Sequence, residues 1–316
     1  VLCLALIKGA NLWLWLHNLM MGLFGVCAYI LPVLMGYIAV IAAMERPIGS
    51  MRGKLWQCLL LLMMLAILAA PLYVPYEQVV KQNIVDKFTP PCAEYWFGTD
   101  QFGRDLFARI VYGGRISLFM GLAVVAISFV AGCALGGAAG YFGGKVDSVI
   151  MRIVDMFMAI PAMLLSMAVV AALGTGVDKL LVALSISQIP RFTRVVRSSI
   201  MTLRNQEFVE AAKCCGTSSA RIILKHILPN GMGPVIVSAT LTLGQVILSI
   251  ASLGFLGIGV SSPTPEWGTI LSENKVHIRY YPYLGLIPGI CIALAVMAVN
   301  FIGDGLRDAL DPRTKN

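Results

Sequence analysis

The sequence has 316 residues, of which 58% are hydrophobic and 13% are charged, and its mean hydropathy is +0.83. A soluble domain carries about 25% charged residues, so this composition excludes a large soluble protein and indicates a chain that crosses a membrane several times. The net charge of +8 is explained by retention of Lys and Arg on the cytoplasmic side, and we expect no nucleic-acid partner. The eight cysteines form no CxxC pair, a pattern that fits neither a disulfide framework nor a metal site.

Two apolar stretches open the chain. Residues 1–17 are interrupted by Lys8 and His17, whereas Leu19–Met44 contains no charged residue. The second stretch exceeds the ~20 residues that a helix needs to cross a bilayer. Residues 1–50 are therefore predicted to contribute one or two spans.

Six further apolar stretches are predicted to be transmembrane helices, and together they define an all-α, polytopic helical bundle. In chain order they are Trp56–Leu72, Leu118–Leu135, Ile153–Leu173, Asp178–Pro190, Val235–Ile258 and Tyr283–Ile302. The small residues of 136–144 permit close helix contact in lipid. Pro161 is predicted to kink the third of these helices. We expect Asp155, near the cytoplasmic end of that helix, to pair or pack between helices.

Basic residues set the orientation. Seven of them, namely Arg191, Arg194, Arg197, Arg204, Lys213, Arg221 and Lys225, make Arg191–Asn230 the most basic loop of the chain. Because Lys and Arg are retained in the cytoplasm, this loop is predicted to be cytoplasmic. The same topology places Val74–Ser117 and Ser261–Tyr280 outside the membrane and the C-terminus in the cytoplasm.

A polar stretch, Gln206–Asn230, separates two long apolar runs and contains two predicted short helices. The first, Glu207–Cys215, ends at Gly216, a residue that can adopt the left-handed conformation that closes a helix. The second, Ser219–Leu228, is expected to stop at Pro229. The prediction is a pair of amphipathic helices joined by a sharp turn on a water-exposed loop.

This stretch resembles the EAA loop of ABC-importer permeases, through which such subunits contact their ATPase. The likeness lies in Glu210-Ala211-Ala212, in a glycine six residues after the glutamate, and in the variant ending His226–Asn230 of the dipeptide, oligopeptide and nickel importer group. It implies the ATPase-coupling residues Glu207, Glu210, Ala211, Ala212, Gly216, His226, Leu228 and Pro229. The alternative for the same residues is an amphipathic helix pair that rests on the membrane surface.

Other stretches resemble the same group in the same order, so the likeness extends over Trp56–Arg313. They are Glu94–Asp105, Tyr112–Leu118, Arg152–Pro161, Pro263–Gly268 and Gly303–Arg313. Two interpretations of Asp100 and Asp105 remain open. They either bind a cation or form a turn network, capping local helices or pairing with Arg104 and Arg109.

The resemblance implies a permease subunit of a bacterial inner-membrane ABC importer. Its parts would be residues 1–50, an atypical hydrophobic region; 51–117, the first family span and an extracytoplasmic loop; and 118–316, the permease domain with its cytoplasmic coupling loop 191–230. The implied partners are a second homologous permease chain, two ATPase subunits, an extracytoplasmic substrate-binding protein and the lipid bilayer. The chain lacks a Walker motif, so ATP and Mg²⁺ are expected on the ATPase subunits, with no cofactor and no catalytic function here.

The expected cargo is di- or oligopeptides, and the alternative is nickel or another small solute. The three histidines do not cluster with Cys or acids, so the chain offers no obvious metal ligands. Ser185, Ser187 and Gln188 either line a translocation path or bond neighbouring helices.

Two alternatives belong to other classes of protein. Gly22–Pro32 is faintly similar to the N-terminal membrane region of bacterial DNA translocases, which would make the chain a membrane anchor for a DNA-translocating machine. A membrane-embedded hydrolase or transferase has no support, because the sequence contains neither an HExxH nor a GxSxG arrangement.

Overall fold

The computed structural model describes residue 67 and residues 74–310. The predicted span Leu19–Met44, almost all of Trp56–Leu72 and the region 1–50 therefore lie outside the described residues. Within the described residues the regular structure is helical, and the β pairing is confined to one antiparallel bridge between Thr99 and Asp105.

We number the helices in chain order. They are α1 (Tyr76–Val80), α2 (Leu106–Phe142), α3 (Gly144–Met158), α4 (Ala162–Leu173), α5 (Val177–Leu203), α6 (Glu207–Cys214), α7 (Ser219–Arg221), α8 (Leu228–Asn230), α9 (Met232–Phe255), α10 (Trp267–Asn274) and α11 (Tyr283–Leu310). A 3₁₀ turn, Ile84–Asp86, follows α1. A π-helix, Ile222–Ile227, connects α7 to α8.

Three of the described helices are long and apolar enough to cross a membrane: Leu106–Phe142, Met232–Phe255 and Tyr283–Arg307. The helix α2 has 37 residues and is therefore about 55 Å long at 1.5 Å per residue, well beyond the bilayer core. The pair α3 and α4 would form a fourth span if it crosses as one unit.

Two predicted spans need correction. Ile153–Leu173 is not one kinked helix, because α3 and α4 differ in direction by 86°. The break lies at Pro161, which lacks an N–H and restricts the residue before it. Asp178–Pro190 does not end at its proline: α5 runs through Pro190, which is buried, to Leu203. The first third of the predicted coupling loop is thus helical.

The chain divides into two compact units. Among the described residues, unit 1 contains residue 67 with 74–117 and 262–298, and unit 2 contains 118–261 and 299–310. In unit 1, Trp267 is fully buried and its indole N–H donates to the carbonyl of Ile110 at 2.9 Å. Glu266 caps α10 by accepting from the N–H groups of Gly268 and Thr269, both at 2.9 Å.

In unit 2, glycines spaced four residues apart let α2 pack directly against the backbone of α5. A Cβ added at Gly132 would lie 2.4 Å from the Cβ of Phe192, and one added at Gly136 would lie 2.5 Å from the carbonyl oxygen of Thr193. At Gly140 the nearest atom would be 2.9 Å away. The close helix contact predicted for 136–144 is confirmed, and Gly132 extends it by one turn.

Candidate coupling site

The charged residues of α6 lie at the helix ends where they interact favourably with the helix dipole. Glu207 and Glu210 lie in its first turn and Lys213 in its last, where each charge is stabilised by the helix ends. Val209 is fully buried and fixes the inner face of the helix, which packs against the π-helix. The predicted helix is confirmed, with Cys215 as its C-cap.

The turn after α6 is a Schellman motif. Gly216 has a φ of 72°, and its N–H donates to the carbonyl of Lys213 at 2.9 Å. The N–H of Thr217 donates to the carbonyl of Ala212 at 3.1 Å. These two bonds satisfy the free carbonyls at the helix end, so the predicted role of Gly216 in ending α6 is confirmed.

The second predicted helix is divided and does not stop at its proline. It consists of α7, the π-helix and α8, and α8 includes Pro229. Because Pro229 has no N–H to donate and its ring crowds the carbonyl four residues earlier, the regular α pattern cannot continue through it. The N–H of Leu228 instead donates to the carbonyl of Ile223, five residues back. Single π turns of this kind occur frequently at functional sites.

The predicted coupling residues divide by exposure. Glu207, Glu210, Ala211, Gly216 and Pro229 are exposed, whereas Ala212, His226 and Leu228 are half-buried. The backbone carbonyl of His226 accepts a hydrogen bond from the Asn230 amide at 2.6 Å. The exposed residues are therefore accessible to a partner.

Sequence reasoning missed Phe208, which lies between the two acidic residues of α6 and is 39% exposed. The available signal was an aromatic residue on a short, polar, water-exposed helix. Aromatic side chains are enriched where proteins bind each other.

Contacts of basic residues join the helices of unit 2, and one of them joins the coupling helix α6 to α2. Arg197 donates to both oxygens of Asp147, at 2.5 and 2.7 Å, which joins α5 to α3. Arg194 pairs with Asp155 at 2.5 Å. This pair confirms the expectation that Asp155 pairs between helices. The ammonium of Lys213 in α6 lies 5.8 Å from the ring centre of Tyr141 in α2.

The predicted path residues lie on one stretch of α5. Ser185 is 3% and Gln188 is 8% exposed, and Ser187 is half-buried, with its hydroxyl donating to the carbonyl of Leu184 at 2.8 Å. The carbonyl of Ser185 accepts a bond from Ser128 of α2 at 3.2 Å. The hydroxyl oxygen of Ser185 is buried without a hydrogen-bond partner.

A buried charge cluster in unit 1 decides between the two interpretations of Asp100. One carboxylate oxygen accepts from the backbone N–H groups of Phe102 and Arg104 at 2.9 and 3.0 Å. The other accepts from the side chains of Arg104 and Arg109, both at 2.7 Å. Both arginines also contact Glu273, at 2.6 and 2.7 Å. With both oxygens occupied by donors, Asp100 belongs to a turn network, and the cation interpretation is wrong.

Asp105 caps a helix, which is the second role predicted for the two acidic residues. Its carboxylate accepts from the N–H of Phe107 at 2.9 Å, at the start of α2. Burial raises the pKa of Asp105, against the effect of its backbone hydrogen bonds. The residue is therefore a helix cap.

Long apolar helices, interrupted by an exposed two-helix loop on a Schellman turn, define an integral membrane protein with a docking-type loop in water. Comparison with known proteins identifies the family. Residues 132–316 match the family described as "Binding-protein-dependent transport system inner membrane component", and the chain belongs to this family. It is a multi-pass inner-membrane permease and not an enzyme, as the resemblance to ABC-importer permeases implied.

Similar proteins carry related names. The chain is 49% identical to the dipeptide transport system permease protein DppC of Alkalihalophilus pseudofirmus, over 74% of this chain and 77% of that protein. It is 40% identical to the di/tripeptide transport system permease protein DppC of Pseudomonas aeruginosa, over 85% of this chain and 89% of that protein. It is 43% identical to the glutathione transport system permease protein GsiD of Escherichia coli, over 71% of this chain and 74% of that protein.

A solved structure shows the same fold. A chain of the MetNI methionine ABC transporter in an inward-facing conformation superimposes with a TM-score of 0.54 at 21% identity. The match covers 64% of this chain and 96% of that chain. The all-α, polytopic helical bundle predicted from the sequence is confirmed.

Proposed function

We propose that this chain forms half of the translocation path of an importer for di- or oligopeptides. The observation that supports this cargo is that relatives 40–49% identical to the chain are named for dipeptide, tripeptide or glutathione transport. Nickel or another small solute is the alternative cargo. Ser185, Ser187 and Gln188 are the candidate polar groups of the path, on the stretch of α5 where the carbonyl of Ser185 accepts a hydrogen bond from Ser128 of α2.

The exposed surface of α6 docks in a groove of an ATPase subunit. The small side chains of Ala211 and Ala212 allow close approach, and Glu210 can pair with a basic residue of the partner. One chain offers one such loop, whereas a pair of ATPase subunits offers two grooves. The complete transporter therefore contains a second permease chain, and ATP and Mg²⁺ bind to the ATPase subunits.

Movement of the docked loop would reach the spans through the contacts described above. Lys213 connects α6 to α2, and Arg197 connects α5 to α3 through Asp147. ATP-driven closure of the ATPase pair would move these helices as rigid bodies between two states with access from opposite sides.

In the proposed topology the coupling loop and the C-terminus are cytoplasmic, and the loops 74–105 and 261–280 are extracytoplasmic. Cysteine labelling in a cysteine-free background tests this orientation. An impermeant maleimide should label Glu94→Cys in intact cells and Thr202→Cys only after the cells are opened. The reverse pattern would refute the topology.

Reconstitution tests the transport function. The chain, a second permease, two ATPase subunits and the binding protein are purified and placed in proteoliposomes, and uptake of a labelled dipeptide is measured with and without ATP. ATP-dependent uptake that is lost without the binding protein supports the proposal. ATP-dependent uptake of nickel but not of peptide would instead establish the alternative cargo. ATP hydrolysis by the chain alone would contradict its role as a non-catalytic subunit.

A further inference from the structure

An arginine and a glutamine form a hydrogen-bonded pair between two packed helices of unit 2. The guanidinium of Arg191 in α5 donates to the side-chain oxygen of Gln245 in α9. Gln245 is exposed and Arg191 is half-buried, so the pair lies on the surface of this chain. We call these two residues the Arg–Gln pair.

Helix lengths place the pair well inside the membrane. Gln245 lies about 20 Å from the first residue of α9 and about 15 Å from its last, at 1.5 Å per residue. Arg191 lies about 21 Å from Val177, the first residue of α5. The helix α9 is long and apolar enough to cross a membrane, and the apolar core of a bilayer is about 30 Å thick. Both residues of the pair therefore lie near the middle of the bilayer.

The charge of Arg191 is not neutralised by a carboxylate within the described part of the chain. The next two arginines of α5, Arg194 and Arg197, each form an ion pair with an aspartate of α3. Arg191 instead donates to the neutral amide of Gln245. A charged group at this depth is costly in lipid, and such groups almost always face the interior of a bundle or a water-filled cavity. The Arg–Gln pair is therefore expected to face water or a ligand.

Uncharged polar side chains extend from the pair along both helices. Ser187 lies one turn before Arg191 on α5, and Ser249 and Ser252 follow Gln245 on the same face of α9. All three serines are half-buried. Their hydroxyls donate to backbone carbonyls of their own helices, at 2.7–2.9 Å, so their oxygens can still accept from water or a ligand. The surface around the pair is thus polar and carries one positive charge.

We propose that the Arg–Gln pair lines the translocation path and that Arg191 binds the C-terminal carboxylate of the peptide cargo during its passage. The inference rests on the proposed function, which supplies the peptide cargo. A linear dipeptide or oligopeptide ends in a carboxylate, and the planar donors of a guanidinium match that group in geometry and charge. A guanidinium has five N–H donors, so the bond to Gln245 leaves others for the cargo.

The same charge bears on the choice between the two cargoes. A cationic group in a narrow path attracts anionic groups and repels a free metal cation. The position of Arg191 therefore favours a peptide over a nickel ion as the transported species.

Equilibrium binding to the complete transporter in nanodiscs, without the binding protein, tests the role of Arg191. The ligands are a radiolabelled dipeptide and the same dipeptide with a C-terminal amide. The wild type should bind the free carboxylate about tenfold more tightly than the amide, because a hydrogen bond to a charged group contributes at least a factor of that size. Arg191→Gln should bind both peptides with the same weak affinity. Arg191→Lys should retain part of the preference, because it keeps the charge but not the planar donors.

Arg194→Gln is the matched control for Arg191→Gln. Arg194 lies on the same helix, but Asp155 already neutralises its charge, so this variant should keep the wild-type preference for the carboxylate. Retention of the preference by Arg191→Gln, or an equal loss in Arg194→Gln, would overturn the role of Arg191.

Cysteine accessibility tests whether the pair faces water. In a cysteine-free background, Gln245→Cys should react with a charged, membrane-impermeant thiol reagent in the assembled transporter, and the dipeptide should slow this reaction. Leu122→Cys is the control, because Leu122 is 57% exposed on the apolar span α2 and should not react. An unreactive Gln245→Cys, as expected if a second permease chain covers it, would overturn the placement in the path.

The two levels of the proposal fail in different ways. If the wild-type transporter shows no ATP-dependent uptake of peptide, the proposed function fails. If it transports peptide but binds the carboxylate and the amide equally well, or binds neither, only the inference about Arg191 fails.

Discussion

Replacement of Gly216 by valine would isolate the contribution of one backbone conformation to coupling. At a φ of 72° an L-residue costs about 1–2 kcal/mol, because its Cβ approaches the following carbonyl oxygen. A β-branched residue belongs at the upper end of this range. A Cβ added at Gly216 would meet nothing within 4 Å, so steric crowding adds nothing to this cost.

The expected result is loss of docking with retention of the spans. A cost of 1–2 kcal/mol lowers the population of the native turn by about 5- to 30-fold. The bonds that Gly216 and Thr217 donate would break, and α6 would lose its fixed position on the π-helix. Retention of the ATPase in pull-downs and uptake of labelled dipeptide by cells should fall together, whereas membrane insertion should be normal.

Two controls separate docking from general stability. Gly216→Asn should retain most of the function, because Asn adopts the left-handed conformation at little cost. Gly144→Val places the same type of strain at a φ of 52°, again with nothing within 4 Å, but at the first residue of α3. Normal uptake and ATPase retention in Gly216→Val would show that the loop is not a docking element. Equal losses in both valine variants would show a global effect.

Three further predictions concern stability of the solubilised protein. Gly136→Ala should lower the melting temperature, because its Cβ would lie 2.5 Å from a backbone oxygen and overpacking costs about 1–3 kcal/mol. Gly137→Ala should leave the melting temperature unchanged, because the nearest atom to its Cβ would be 3.5 Å away. Equal melting temperatures of the Gly136→Ala and Gly137→Ala variants would contradict the packing argument. Asp100→Asn should cost about 3–5 kcal/mol by leaving buried arginine charge unpaired, whereas the exposed Glu94→Gln should change stability by less than about 0.5 kcal/mol. Burial opposes ionisation of Glu273, but Arg109 and Arg104 outweigh this effect and hold its pKa below the usual value. The ionised carboxylate therefore stabilises the folded protein fully above about pH 4.3, the usual pKa of a glutamate. This stabilisation is lost as the pH falls through the lower pKa of the folded state. Unfolding of Glu273→Gln followed against pH should lack this component.

Local signals allowed parts of the fold and the site to be predicted from the sequence. The extent of α6 follows from its composition and from the glycine after it, and the glycine-rich end of α2 indicated close helix packing, although not its partner α5. Asp100, Arg104 and Arg109 lie within one short stretch, so their pairing was among the predicted alternatives. Glu273 was not, because it lies 164 residues after Arg109 in the chain.

Proline was the main source of error. The sequence predicts that helices end at Pro190 and Pro229, yet both residues lie within helical segments. At Pro190 burial among neighbouring helices outweighs the lost hydrogen bond, and near Pro229 the π-helix changes the bonding pattern. Only at Pro161 is the helix interrupted, and there the direction changes by 86°. Local propensity does not distinguish these cases, since tertiary packing decides each of them.

The arginines of α5 connect the folded structure with the way in which the chain enters the membrane. During synthesis, before α3 packs against α5, Arg194 and Arg197 would be free cations that keep this part of the chain on the side of the ribosome. After packing, Asp155 and Asp147 neutralise them, so the topogenic signal becomes a structural contact. Exchanging the charges of one pair, as Arg197→Asp with Asp147→Arg, should preserve the contact but lower the fraction of chains inserted in the native orientation.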